Sequence, residues 1–277
     1  MQAACLILGA GQDGGTPQVG ERHGVGPDRS ASSIVVRSPA GSIVLLDASP
    51  DFRPQAARLV RWYHYPPDRS RVVDAVVVTH AHMGHYAGLL HFGTEVSDTQ
   101  GVRLLATPGF QSFIAANEPW STLITRGNLL PETLAPSATV DASLEIVGIA
   151  VPHRAEYTDT IAVSVLSKGR PWLLYVPDID GWEGWPRAAE VIAEHDIALL
   201  DATFSSVEEL TNRDFAQVRH PLVPDTIDRF ADLTDSTRIV LTHMNHTNPL
   251  ADAGSTIAAK ARAAGFEVAM DGMELAP

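Results

Sequence analysis

The sequence predicts an α/β (α+β) chain in which two β-sheets pack together with helices outside them, in one domain running from residue 1 to 277. Three observations predict it. A chain of 277 residues, 45% hydrophobic and 19% charged, has the apolar material for one sizeable core and lacks the composition of a disordered chain. The patterning is strand-rich at the start and then alternates between strands and helices. Apolar runs also end repeatedly in a histidine or an aspartate, at His80, His153, Asp178 and His243. Ligand sites in α/β folds gather at the C-terminal ends of strands, so this repetition brings chemistry to one edge.

Taken in order, residues 5–8 read as a first buried strand running into a glycine-rich loop, 9–18. The spacing Gly9-x-Gly11-x-x-Gly14 suggests a dinucleotide cradle, but Gly15, Pro17 and Gly20 break the helix that such a cradle requires. A loop folded tightly against an active site is the better reading. Residues 32–37 and 42–47 are two strands joined at Pro39 to Gly41, and 52–63 carries the spacing of a helix closed by Pro66 and Pro67. The β-branched run 72–79 reads as a central strand buried on both faces. A short helix at 86–90, a strand at 104–107 and a helix at 110–117 follow. Residues 118–138, with Pro119, Pro131 and Pro136, read as a loop-rich insertion serving as a lid or pocket wall. Strands are then expected at 144–151, 161–166, 172–176, 197–200, 238–241 and 267–270, and helices at 186–195, 224–233 and 254–264.

The formal net charge of −13 gives no long-range attraction to a phosphate backbone and disfavours a nucleic-acid partner; a small-molecule substrate is expected, and a homodimer stays open. A single cysteine, Cys5, rules out an internal disulfide and a cysteine-based structural zinc site, and it reads as a small buried hydrophobe. The apolar run 3–9 lacks a basic leader and is too short for a signal peptide, and no stretch approaches a membrane span, so a cytoplasmic location is the default expectation.

The densest chemistry is His80-Ala-His82-Met-Gly84-His85, directly after the central strand. Neutral imidazole is the commonest protein metal ligand and suits zinc and iron. With His153, Asp178 and His243 at later strand ends, the chain resembles the metallo-β-lactamase-fold superfamily over nearly its whole length. That family carries His-x-His-x-Asp-His after a strand, then a lone histidine, a bridging aspartate and a final histidine. The resemblance implies a four-layer αββα sandwich. It implies a first metal site of His80, His82 and His153, and a second of His85, Asp178 and His243, with Asp178 bridging. Segments 9–18, 47–53 and 243–249 are similar to the pyrroloquinoline-quinone biosynthesis protein B group within it, although this chain lacks that group's cysteine cluster. Gly84 stands where the family has aspartate, which implies a second site that is weakened, empty or selective for another metal, with Asp13 or His246 as candidate substitutes.

The ligand set implies Zn2+, as one or two ions, with iron or manganese as alternatives. Such a site lowers the pKa of a bound water towards about 7 and polarises a carbonyl or phosphoryl oxygen. Asp178 is expected to orient that water and take a proton, and His220 resembles a histidine that relatives use near the leaving group. Asp47 and Asp201, also at strand ends, are expected either to hold an imidazole N–H or to cap a turn. Trp120, Trp182 and Trp185 are candidates for a pocket wall, with core packing the commoner fate. The leading functional expectation is a hydrolase of a small-molecule ester, lactone, lactam, thioester or phosphodiester. The alternatives are an iron oxygenase or oxidoreductase in cofactor or secondary-metabolite biosynthesis, and a degenerate metal-binding protein.

Overall fold

Period-two burial organises the computed structural model, which describes residues 2–66, 69–210 and 217–276. In β1 (Ala4–Gly9), Cys5 and Ile7 belong to one apolar cluster while Leu6 and Leu8 belong to another. The same alternation runs through β2 (Ser33–Arg37), β3 (Ile43–Leu46) and β4 (Ala75–Val77), so this sheet is buried on both faces. One face packs on α1 (Phe52–Trp62) and on α3 (Pro108–Ala116), which lie outside it. The other shares a continuous core with the second sheet, which includes Ile146, Val163, Val165 and Tyr175. Four layers follow: helices, sheet, sheet, helices.

The first sheet has the order β14-β1-β2-β3-β4-β5-β6, with β5 (Val102–Ala106), β6 (Leu129–Thr133) and the returning strand β14 (Glu274–Leu275). The second runs β13-β12-β11-β10-β9-β8-β7. Its strands are β7 (Ser137–Asp141), β8 (Leu144–Ala150), β9 (Ile161–Ser167), β10 (Arg170–Val176), β11 (Ile197–Asp201), β12 (Arg238–Thr242) and β13 (Glu267–Val268). Pairing is antiparallel from β1 to β3 and parallel from β3 to β6. It is antiparallel from β7 to β10 and parallel from β10 to β13. The parallel strands β3, β4, β10, β11 and β12 therefore each release a loop at a C-terminal end, as the expected αββα sandwich requires. The second sheet's outer helices are α5 (Ala188–Ala193), α6 (Val223–Phe230) and α7 (Thr256–Ala263).

Several elements differ from their sequence expectation. The central strand is only three residues long, not 72–79. It ends early because side chains of the site take over its hydrogen bonding: the Thr79 amide donates to the Asp47 carboxylate at 2.9 Å. The helical segment after it starts earlier, as α2 (Met83–Tyr86) followed by a 3-10 turn over Ala87–Phe92. Residues 118–138 are not a loop-rich lid. They form α4 (Trp120–Thr125), all of β6 and the start of β7. The prolines suggest a loop, but Pro131 sits in β6, an edge strand, where a missing amide costs little. Pro67, expected to help close α1, lies outside the described residues. Cys5 is fully buried and free, as expected. Among the described residues no helix is long and apolar enough to cross a membrane.

Candidate metal centre

At the edge where the parallel strands end, two aspartates hold the scaffold. Asp47 follows β3, is fully buried and sits in the left-handed region at φ 62°. Its carboxylate accepts from the Thr79 amide and hydroxyl and lies 2.7 Å from His85 Nδ1. Asp201, at the end of β11, accepts from the Ile179 and Thr203 amides and lies 2.7 Å from His220 Nδ1. Both hold an imidazole, and Asp201 also caps the turn at Thr203. A carboxylate on Nδ1 fixes that nitrogen as the N–H and leaves Nε2 free as a ligand atom.

A polar group also stands beside the outer nitrogen of the other histidines, a hydroxyl for two of them and a carboxylate for two. His80 Nδ1 is 3.0 Å from Thr79 Oγ1, and His243 Nδ1 is 2.9 Å from Thr203 Oγ1. His82 turns the other way, with Nε2 3.0 Å from Glu156 and Nδ1 facing inward, and His153 Nδ1 lies 3.1 Å from Asp180. His243, like Asp47, has a positive φ, 63°, at its strand end. Non-glycine residues in that region carry strain of about 1–3 kcal/mol and concentrate at functional sites.

The inward atoms form two adjoining groups. His82 Nδ1 lies 2.9 Å from His80 Nε2 and 3.2 Å from His153 Nε2. Asp178, just beyond β10, places Oδ2 3.6 Å from His80 Nε2 and Oδ1 3.7 Å from His153 Nε2. Asp178 Oδ2 is also 2.7 Å from His85 Nε2 and 3.3 Å from His243 Nε2. A tetrahedral zinc with bonds of about 2.0–2.1 Å sets its donors roughly 3.4 Å apart; the first group brackets that spacing and the second lies at or somewhat inside it. Hydrogen bonds alone leave the arrangement unsatisfied: among the described residues, Asp178 Oδ2, His85 Nε2, His243 Nε2 and His220 Nε2 are buried without an aligned partner. Imidazole and carboxylate donors converging in this way suit a divalent transition metal.

Charge points the same way. Burial alone lowers an imidazole's pKa, yet Asp47 and Asp178 on either side hold His85 well above the usual histidine range. Burial pushes His80 well below that range, and the adjacent His85 adds to the shift. Burial would raise Asp178, but His243, His153 and His85 draw it well below the usual carboxylate range. The pocket therefore favours one positive charge on the side of His85 and neutral imidazoles at His80.

Six expected ligands, His80, His82, His153, His85, Asp178 and His243, are thus brought to one place, and His220 stands beside them, 3.6 Å from Asp178 Oδ1. His246 is not there: its Nδ1 pairs with Glu21 at 2.9 Å. Trp185 is a core residue; Trp182 is buried too, donating to Thr226 at 2.8 Å, but also lines a cavity beside His220, and Trp120 packs on Tyr86. Glu156 and Asp180, which stand behind His82 and His153, carried no sequence signal because neither sits at a strand end.

Residues 43–244 match the model of the beta-lactamase superfamily domain. The chain belongs to the beta-lactamase superfamily. This superfamily member is accordingly a metallo-β-lactamase-fold enzyme. Coenzyme PQQ synthesis protein B of Gluconacetobacter diazotrophicus is 28% identical over 309 residues, covering 98% of this chain and 98% of that protein. The protein of the same name from Methylorubrum extorquens is 27% identical over 300 residues, again with 98% of each covered. The crystal structure of Zn(2+)-bound PqqB from Methylobacterium extorquens shares the fold at a TM-score of 0.84 and 23% identity, over 99% of this chain and 100% of that one. A diphosphatase from the PhnP family shares it at a TM-score of 0.70 and 20% identity, over 99% of this chain and 97% of that one.

Proposed function

We propose that this protein is a metal-dependent hydrolase that cleaves an ester, lactone, lactam, thioester or phosphodiester bond in a small molecule, with Zn2+ held in one or two sites. The observation that carries the reading is the convergence of His80, His82, His153 and Asp178 at the donor spacing of a tetrahedral metal. His80, His82 and His153 would hold one ion, His85 and His243 would serve a second, and Asp178 would face both. A bound divalent metal supplies Lewis acidity, acidifying water and polarising the scissile carbonyl or phosphoryl group.

The chain's own residues supply the remainder. Asp178 would orient an incoming water and accept its proton. His220, its Nδ1 held by Asp201, has its pKa raised by that carboxylate against the effect of burial, which suits it to donate a proton from Nε2 to a leaving group. Two cavities adjoin these groups: one of about 440 Å³ includes Asp180, Trp182, Arg219 and His220, and one of about 570 Å³ includes Gln12, Asp13, Glu209 and Asn245. Both suit a small-molecule substrate.

A second reading is an iron-dependent oxygenase or oxidoreductase in cofactor biosynthesis. It is favoured by full-length relatives named for coenzyme PQQ synthesis and by a histidine–carboxylate donor set that also suits iron. Elemental analysis of protein purified without added metal separates the two. Zinc together with esterase or phosphodiesterase turnover is the expected result. Iron in place of zinc, with no turnover on a hydrolytic panel, would overturn the hydrolase.

A further inference from the structure

We propose that Asp13, on the glycine-rich loop after β1, is the carboxylate ligand of the second metal position, and that Gly84 is the vacancy which admits it. The proposal rests on the metal-centre reading above and deepens it. Position 84 lies in α2 and has no left-handed φ, so no backbone conformation demands glycine there. A glycine inside a helix costs about 1 kcal/mol relative to alanine, so an offsetting requirement is expected. It is space. A Cβ built on Gly84 would lie 2.2 Å from Asp13 Oδ1, 2.7 Å from Asp13 Cα and 3.0 Å from Asp13 Cγ. A side chain at 84 and the carboxylate of Asp13 therefore exclude each other.

What Asp13 does in that space points to a cation. Its Oδ1 is buried and, among the described residues, has no hydrogen-bond partner, and it lies 3.7 Å from His85 Nε2. One ligand atom each from Asp13, His85 and His243 fall within 4.8 Å of one another. Among the described residues no lysine or arginine pairs with Asp13. The loop is held there by the backbone, not by chance packing. Gln12 N donates to Met244 O, and Met244 N donates to Ala10 O, both at 2.9 Å, so Asp13 is tied to the residue after His243. Gly9 allows the approach, since a Cβ there would sit 2.0 Å from Ala31 O, and Gly15 turns the loop at φ +68°. The carboxylate missing from the helix after β4 is supplied from the loop after β1.

The test is zinc binding by titration calorimetry and elemental analysis on the full chain, with melting curves of the metal-free proteins as the folding control. The variants are Asp13→Asn, Asp13→Ala and Gly84→Ala, with His82→Ala as the control for the first site. Wild-type protein is expected to bind two zinc ions. Both Asp13 variants are expected to keep one and to bind the second at least tenfold more weakly. Gly84→Ala touches no metal and favours the helix, yet it is expected to weaken the same ion by displacing Asp13. Asp13→Asn/Gly84→Ala is then expected to be no weaker than Asp13→Asn alone, because both changes remove one interaction. Two ions at wild-type affinity in the Asp13 variants would overturn the proposal and leave the metal centre standing. A wild-type chain that binds no zinc would overturn both.

Discussion

At the scale of the residue, the centre depends on which nitrogen each histidine turns inward. His82 is the outlier, directing Nδ1 rather than Nε2 at its neighbours because Glu156 holds Nε2 from the exposed side. It is also partly exposed, so its loss disturbs the centre more than the core. His82→Ala is expected to remove one metal per chain and to lower turnover by more than the roughly 10–100-fold that losing a mere supporting partner costs. The metal-free variant should stay within about 1 kcal/mol of wild type in denaturant unfolding. Unchanged metal content would refute the ligand assignment. The residues at strand ends were legible from the chain because an apolar β-branched run followed by a histidine or aspartate is a local pattern. Glu156, Asp180 and Asp13 were not, or not decisively. They reach the centre from loops whose paths depend on distant partners, and nothing local ranked Asp13 above His246.

At the scale of the element, the two sheets are joined at the rim opposite the metal centre as well as through the core. Ser38, in the turn between β2 and β3, donates to Asp141, at the end of β7, and the Ser143 amide and hydroxyl donate to the same carboxylate. Burial is the largest single influence and opposes ionisation, but the Ser38, Ser42 and Ser143 donors together outweigh it and hold Asp141 at about 2, below its ordinary 3.8. A carboxyl depressed in the folded state adds stability above its unfolded pKa and loses it as pH falls through the folded one. Stability is therefore expected to fall between about pH 4 and pH 2 on account of this group. Asp141→Asn should remove that portion of the slope at a cost near pH 7 of about 1 kcal/mol or less, since the group is largely solvated. Equal acid slopes in the two proteins would count against the rim contact. This strand was itself hidden in the sequence. Residues 118–138 carry enough proline to resemble a loop, and only pairing with β5 and β8 makes β6 and β7 strands. The two-residue strand β14 is likewise defined by its partner β1, not by its own pattern.

At the scale of the whole molecule, the centre gathers residues from both sheets, so a metal there stabilises the sandwich as a unit. His80, His82, His85 and Asp47 come from the first sheet's loops, and His153, Asp178, His220 and His243 from the second's. A ligand that binds only the folded chain adds about 2.7 kcal/mol at a free concentration 100 times its dissociation constant. For a domain of this size that is a rise of roughly 5–10 °C in melting temperature per site. Metal-free protein is therefore expected to melt lower than zinc-loaded protein, by an amount that grows with zinc concentration and is smaller in His82→Ala. A melting temperature indifferent to zinc would mean that the converging donors do not act as one site.

The sandwich and most of its donor set were readable along the chain because both rest on short-range patterns. Alternating burial marks a strand, and a polar residue at its end marks the edge where chemistry collects. The carboxylate opposite His85 was settled only by the folded backbone. Pairing between the loop after β1 and Met244 brings Asp13 into the space that Gly84 leaves open, and two segments so far apart in sequence become neighbours only when the two sheets, one holding β1 and the other β12, pack on each other.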